Sequence, residues 1–114
     1  MLSRAEETQL RALRSRRNRQ AEGRFLAEGV RVVEDLLAST LDVAFVAAAS
    51  SLEYSERGAG LRAAAERRGV AWRVAPDAEL ERLAETDTPQ GVLAVARTPR
   101  HALQHVPTDG DPSV

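Results

Sequence analysis

The nine residues 41–49, LDVAFVAAA, form an almost unbroken apolar run, which constrains the fold more than any other segment. A strand with one solvent-exposed face alternates apolar and polar residues, whereas a continuous apolar run indicates a strand that is buried on both faces. The alanines in this run leave room for helices to pack closely. A second continuous run, VLAVA, occupies residues 92–96. Together the two runs predict a sheet that is covered by helices on both sides.

The segments before the central run read as helix, strand and helix. Ser3 and Glu6 have the spacing of a capping box, which predicts a helix that begins at Arg4 and carries arginines in its last turns. Residues 24–27 read as a short strand. Gly29 then opens an amphipathic helix that ends at Ser39 or Thr40.

The segments after the central run continue the alternation. Gly58 and Gly60 weaken any helix over residues 53–61, so the helix is predicted over residues 61–68. Residues 70–74 alternate as a half-buried strand does, and Pro76 precedes another short helix. Helices and strands that alternate in this way predict an α/β fold with its sheet between helices.

Length and composition indicate one domain without a membrane span. The chain has 114 residues, and its regular pattern predicts a domain over residues 1–98 with a linker or tail over residues 99–114. The absence of cysteine excludes disulfides and thiolate metal sites. No apolar run approaches the ~20 residues that cross a bilayer. We expect a cytoplasmic protein.

Positive charge is clustered although the net charge is only −1. Residues 11–24 contain six arginines and one acidic residue. A helix C-terminus favours one or two cations, but it does not need five. We therefore predict contacts with phosphate from this cluster, and a merely solvated face is the alternative. The predicted RNA-binding residues of the cluster are Arg14, Arg17, Arg19 and Arg24.

Two loops are further candidates for RNA contact. Glu28, Gly29 and Arg31 lie where a strand meets a helix N-terminus, whose backbone N–H groups favour phosphate. In the loop 86–91, Thr88, Gln90 and Gly91 offer a hydroxyl, an amide and a close approach, which suit a single-stranded base or a sugar hydroxyl. Ordinary polar turns are the alternative. We expect both loops and the arginine-bearing helix end to lie on one side of the molecule.

Catalytic constellations are scarce in the sequence. The serines have no partnered histidine that would indicate a hydrolase triad, and no phosphate-binding glycine motif occurs. His101 and His105 are four residues apart in the tail without a third metal ligand nearby. We predict no catalytic residue and no metal site, with the two histidines in a solvated tail.

The segment SRRNRQAEGRFLAEGVRVVEDLL, followed at the right distance by TDTPQGVLAV, resembles the N-terminal substrate-binding domain of SpoU-type RNA ribose 2′-O-methyltransferases of the SPOUT class. The resemblance covers about residues 10–97. It implies a three-layer α/β/α sandwich around a small four-stranded mixed sheet, like the ribosomal proteins that bind kinked RNA. It also implies RNA contacts from residues 28–31 and 86–91, and from Arg17, Arg19 and Arg24.

The resemblance further implies a division of labour between two domains. Full-length members carry a C-terminal knotted domain that binds S-adenosylmethionine and forms a homodimer, and its motifs do not occur in this sequence. We therefore expect this chain to need no cofactor, to be inactive alone, and to recognise RNA, with 23S ribosomal RNA as the expected target and no DNA binding. The low aromatic content, 4%, disfavours a base-stacking platform. The alternatives are a free-standing ribonucleoprotein component and a protein–protein adaptor.

Overall fold

A computed structural model describes residues 2–84 and 90–98. The described residues form six helices and four strands, which follow one another along the chain as α1 Arg4–Ala12, α2 Arg16–Glu22, β1 Arg24–Glu28, α3 Val30–Ala38, β2 Val43–Ala49, α4 Ser50–Glu53, α5 Glu56–Arg67, β3 Ala71–Ala75, α6 Asp77–Leu83 and β4 Val92–Arg97. The alternation of helices and strands predicted from the sequence is confirmed. Within the described ranges, no helix has the length and apolarity that a membrane span requires.

The four strands form one mixed sheet in the order β1-β4-β2-β3. Strand β4 is antiparallel to both of its neighbours, and β2 is parallel to β3. Strands β1, β2 and β3 therefore point the same way and end at one edge of the sheet, where β4 begins. We call this edge the carboxyl edge, and its described residues include Glu28, Gly29, Ala49, Gln90 and Gly91.

Each face of the sheet carries its own apolar core. Leu10 of α1 and Leu13 directly after it pack with Leu80 and Leu83 of α6 against one face. Helices α3 and α5 cover the other face, where Val33 and Leu61 are fully buried. The three-layer α/β/α sandwich around a four-stranded mixed sheet is thereby confirmed.

The first predicted helix is wrong in its extent. The capping box is present, because the Ser3 hydroxyl accepts from the Glu6 N–H at 3.1 Å and the Glu6 carboxylate accepts from the Ser3 N–H at 2.9 Å. Helix α1 nevertheless ends at Ala12, before most of the arginines. Ser15 caps a separate helix, α2, whose seven residues include Arg16, Arg17 and Arg19. Because of this break, Arg16, Arg17 and Arg19 lie on a separate helix.

The predicted start of the α5 helix is also wrong, because both glycines lie inside it. Gly58 is buried, and a Cβ placed on it would come within 1.8 Å of the Leu52 carbonyl oxygen. The close contact between α4 and α5 thus needs a residue without a side chain. Packing here overrides the low helix propensity of glycine.

Candidate functional site

The two loops predicted to contact RNA meet at the carboxyl edge. The side chain of Gln90 reaches across to α3, where its Oε1 atom accepts a hydrogen bond from the Val30 N–H at 2.9 Å. The Gly29 N–H donates to the Val92 carbonyl at 3.2 Å, and the Ala49 N–H donates to the Gly91 carbonyl at 2.7 Å. These bonds fix the turn after β1, the end of β2 and the residues before β4 to one another.

Gly29 is required by this arrangement. Its φ of +105° lies in a region that side chains with a Cβ rarely adopt. A Cβ there would also stand 3.3 Å from Oε1 of Gln90. The glycine therefore allows both the turn and the close approach of the Gln90 side chain.

The N-terminus of α3 differs from the open anion site predicted for it. Its first N–H group is already bonded to Gln90 Oε1, so the side chain stands where a phosphate oxygen was expected. Arg31 is exposed on the first turn of the same helix and adds a cation beside the turn. Recognition at this turn would then involve the Gln90 amide and Arg31 as well as the backbone.

A cleft of about 200 Å³ opens beside this junction. Glu28, Asp77 and Glu81 contribute carboxylates to its lining, and Ser51 contributes a hydroxyl. No arginine or lysine lines the cleft within the described part of the chain. Such a lining repels phosphate but accepts hydrogen bonds from hydroxyl and amino groups.

Asp77 holds one wall of the cleft in place. Its Oδ1 atom accepts from the Ser51 N–H at 3.0 Å, joining the start of α6 to the start of α4. Hydrogen bonds from the Ser51 backbone and hydroxyl hold the pKa of Asp77 below its ordinary value. These bonds stabilise the ionised carboxylate, which adds negative charge to the cleft.

The arginines lie at the other end of β1. A groove of about 460 Å³, which we call the arginine groove, is lined by Arg16, Arg19, Gln20, Gly23, Arg24, Phe25 and Thr98. Arg24 is the first residue of β1, whereas the turn at Gly29 follows its last residue. A strand of five residues spans about 16 Å. The expectation that the arginine-bearing helix end and the two loops lie together is therefore wrong, because β1 carries the chain across the sheet between them.

Two of the predicted arginines make contacts inside the protein. The Arg19 guanidinium donates through Nη1 to the carbonyls of Leu13 at 2.9 Å and Arg14 at 3.1 Å, which closes the C-terminal end of α1. Arg14 donates to the Arg82 carbonyl at 3.5 Å, a long bond from the turn between α1 and α2 to α6. Arg17, in contrast, is exposed on α2. Arg19 thus has a structural role that sequence reasoning missed.

Most of the other predicted site residues lie at the carboxyl edge. Glu28, Gly29, Arg31, Gln90 and Gly91 share the carboxyl edge, whereas Thr88 lies outside the described residues, as do His101, His105 and the predicted tail. In the described ranges, no group of three or more acidic or histidine side chains is placed to hold a metal ion.

Some contributors to the two regions were not among the predicted site residues. Ser51 and Asp77 shape the cleft and Arg16 lines the arginine groove. A sequence signal existed for the groove, because Ser15 has the character of a helix N-cap directly before Arg16. Nothing in the sequence pairs Ser51 with Asp77, which are 26 residues apart.

Comparison with known proteins gives a match to a protein family. A family model described as the MRM3-like substrate binding domain matches residues 8–94. Among proteins with curated functions, none matches the sequence significantly. The matched range includes the last five residues of α1, both turns of the carboxyl edge and the first three residues of β4.

Solved structures share the fold. An RNA 2′-O ribose methyltransferase is 26% identical with a TM-score of 0.71, over 97% of this chain and 40% of that one. A protein assigned to the TrmH family of RNA methyltransferases, from Porphyromonas gingivalis, is 27% identical with a TM-score of 0.68, over 88% and 37%. The SpoU methyltransferase AviRb from Streptomyces viridochromogenes, solved with AdoMet, is 25% identical with a TM-score of 0.63, over 94% and 40%. This chain spans well under half the length of each.

Proposed function

Because the chain belongs to the family of MRM3-like substrate binding domains, we propose that it is the RNA-recognition domain of a SpoU-type RNA ribose 2′-O-methyltransferase. The family match over residues 8–94 carries this proposal. It is supported by the solved structures of similar fold, which include RNA methyltransferases of the SpoU and TrmH families. We propose ribosomal RNA, and specifically 23S ribosomal RNA in the cytoplasm, as the substrate.

The two ends of β1 would divide the recognition of RNA between them. At the carboxyl edge, the acidic cleft and the Gln90 amide suit ribose hydroxyls and the amino groups of bases. At the arginine groove, Arg16 and Arg24 suit backbone phosphates. The separation of about 16 Å along β1 is only a few nucleotides long, since successive nucleotides of a B-form strand rise about 3.4 Å. One RNA segment can therefore reach both ends.

In this proposal the chemistry belongs to another domain. The chain supplies binding and orientation of RNA, whereas S-adenosylmethionine binding, methyl transfer and homodimer formation are assigned to a catalytic domain of the parent protein. The SpoU relative solved with AdoMet has about two and a half times the length that this chain matches, since the match covers 40% of it. We accordingly expect no cofactor in this chain.

The proposal is tested by filter binding of this chain to transcribed 23S ribosomal RNA, to transfer RNA and to duplex DNA at several salt concentrations. We expect the 23S transcript to bind most tightly and DNA to bind only at low salt. Equal affinity for all three at physiological salt would contradict RNA recognition. Preference for transfer RNA would contradict the ribosomal target while leaving the RNA function in place.

A calorimetric titration tests the assignment of the chemistry. Adding S-adenosylmethionine to this chain should give no heat of binding. Stoichiometric binding of the methyl donor would contradict the division between recognition and chemistry.

A further inference from the structure

Tyr54 is the most exposed large hydrophobic residue in the described part of the protein. It is 89% exposed, whereas Phe25 and Trp72 are half-buried and Phe45 is buried. An aromatic ring in water loses the favourable burial that aromatic residues usually gain. Trp72 shows the usual outcome, because its ring packs against the core and its Nε1–H donates to Glu53 at 2.8 Å.

Tyr54 lies at the carboxyl edge. Helix α4 begins directly after Ala49, the last residue of β2, and Tyr54 is the residue that ends this four-residue helix. Leu52, two residues earlier, lies beside Gly91, since a Cβ on Gly91 would be 3.7 Å from the Leu52 Cβ. Helix α5 then runs back to the start of β3, so its N-terminus must lie at the same edge as Tyr54.

The backbone on both sides of Tyr54 is held firmly. The Ser55 hydroxyl donates to the Leu52 carbonyl at 2.7 Å and accepts from the Gly58 N–H at 2.9 Å. The contact between Gly58 and the Leu52 carbonyl allows no side chain at that position. The ring is therefore presented to solvent from a fixed turn, which lowers the entropy lost when a partner binds.

The surroundings suit a nucleotide. Arg57 follows three residues later, in the first turn of α5, and its guanidinium is 4.0 Å from the Glu34 carboxylate, with 59% and 48% of the two side chains exposed. An ion pair this long and exposed is weak, so Arg57 can also contact a phosphate. An exposed aromatic ring three residues before an accessible arginine offers a face that can stack on an unpaired base and a cation that can hold its backbone.

We propose that Tyr54 stacks on an unpaired base of the RNA that binds the carboxyl edge, with Arg57 on the adjacent phosphate. The inference rests on the proposed function and adds one stacking residue to it. It does not require a platform of several aromatic residues, which the composition disfavours. The base on Tyr54 would belong to a single unpaired nucleotide, next to the nucleotides that Gln90 and Glu28 would contact.

The test measures affinity for transcribed 23S ribosomal RNA in three variants. Tyr54→Leu keeps an apolar side chain but removes the ring, and should weaken binding by at least about fivefold. Tyr54→Phe keeps the ring and should bind as the wild type does. Val32→Ala is the matched control, because Val32 is the other exposed large apolar residue among those that the structure describes, at 50%, and it lies on α3. It should leave binding unchanged.

The outcomes separate this inference from the proposed function. If the wild type and Tyr54→Leu bind the transcript equally, the stacking role of Tyr54 is wrong and RNA recognition stands. If the wild type binds no RNA, both fail. Unfolding curves in urea should be the same for all three variants, since the side chains are exposed, and a destabilised Tyr54→Leu would contradict a role confined to binding.

Photocrosslinking gives a second readout that does not depend on affinity. Ultraviolet irradiation of the complex, followed by digestion and mass spectrometry, should place a nucleotide on Tyr54. Crosslinks found only on other residues would contradict the proposal.

Discussion

The two ends of strand β1 are built on different principles. At the carboxyl edge, polar groups are fixed by the protein itself: Gln90 bonds to Val30, and Asp77 bonds to Ser51. At the arginine groove, Arg16 and Arg24 line an open groove of about 460 Å³ beside α2. The first end offers geometry and an acidic cleft, whereas the second offers positive charge.

Under the proposed function, this difference explains how a chain with a net charge of −1 would bind RNA. Contacts with phosphate supply affinity that depends on salt and carries no sequence information. Fixed donors and acceptors supply the recognition of a local RNA shape. We therefore assign specificity to the carboxyl edge and salt-dependent affinity to the arginine groove.

The largest expected effect is on the free energy of unfolding, because the glycines at the two ends of β1 differ in backbone strain. Gly29→Ala should lower the free energy of unfolding by about 3 kcal/mol, because a φ of +105° is sparsely populated and the Cβ crowds Gln90. Gly23→Ala at the groove should cost only about 1 kcal/mol, since its φ of +67° is left-handed helical and nothing lies within 4 Å of its added Cβ. Urea unfolding measures both. Equal losses would contradict the fixed junction at the carboxyl edge.

The next effect concerns charge. Replacing Arg16, Arg17 and Arg24 together by glutamine should weaken RNA binding and lower the slope of log affinity against log salt by about 2, if all three contact phosphate. The ranking of RNA sequences should stay the same. A changed ranking with an unchanged salt slope would reverse the roles of the two ends.

A smaller effect divides the arginines near the groove into two kinds. Arg19→Ala should cost about 1–2 kcal/mol of stability, because the carbonyls of Leu13 and Arg14 lose a charged donor. Arg17→Ala, on the exposed surface, should change stability by less than about 0.5 kcal/mol. Thermal unfolding of both variants checks this. Equal stability would show that the Arg19 contact with α1 contributes nothing.

The smallest effect is a pH dependence at the carboxyl edge. The folded pKa of Asp77 is lowered, so its bond to Ser51 stabilises the fold above the ordinary carboxylate pKa of about 4. That stabilisation is lost as the pH falls through the folded pKa. Asp77→Asn should therefore be less stable than the wild type at pH 7 and equal to it at the lowest pH of the titration. A difference that persists in acid would point to a cause other than charge.

Sequence patterns predicted the layers of this fold better than its strand order and helix bounds. The apolar runs of β2 and β4 and the capping box of α1 each depend on local sequence, and all three are present. The place of β4 between β1 and β2 depends on long-range pairing that no local pattern encodes. The predicted helix over residues 61–68 begins later than α5 does, because Gly58 reads locally as a helix breaker. The need for a glycine there comes from the Leu52 carbonyl, which no local pattern shows.

The candidate site shows the same limit. The loops 28–31 and 86–91 were predicted to lie on one side of the molecule, and the bond between Gln90 and Val30 joins them. The arginines were expected beside them because they are near in sequence, but β1 separates the two sets by its whole length. A short strand between two motifs places them at opposite ends of a sheet, which a reading of linear proximity overlooks.

Titration of the ¹⁵N-labelled chain with transcribed 23S ribosomal RNA fragments tests the central claim most directly. The account predicts that amide signals of Gly29, Gln90 and Gly91 shift at low and at physiological salt. Signals of Arg16 and Arg24 should shift strongly only at low salt. Shifts at the arginine groove that persist at physiological salt, with the carboxyl edge unaffected throughout, would contradict it.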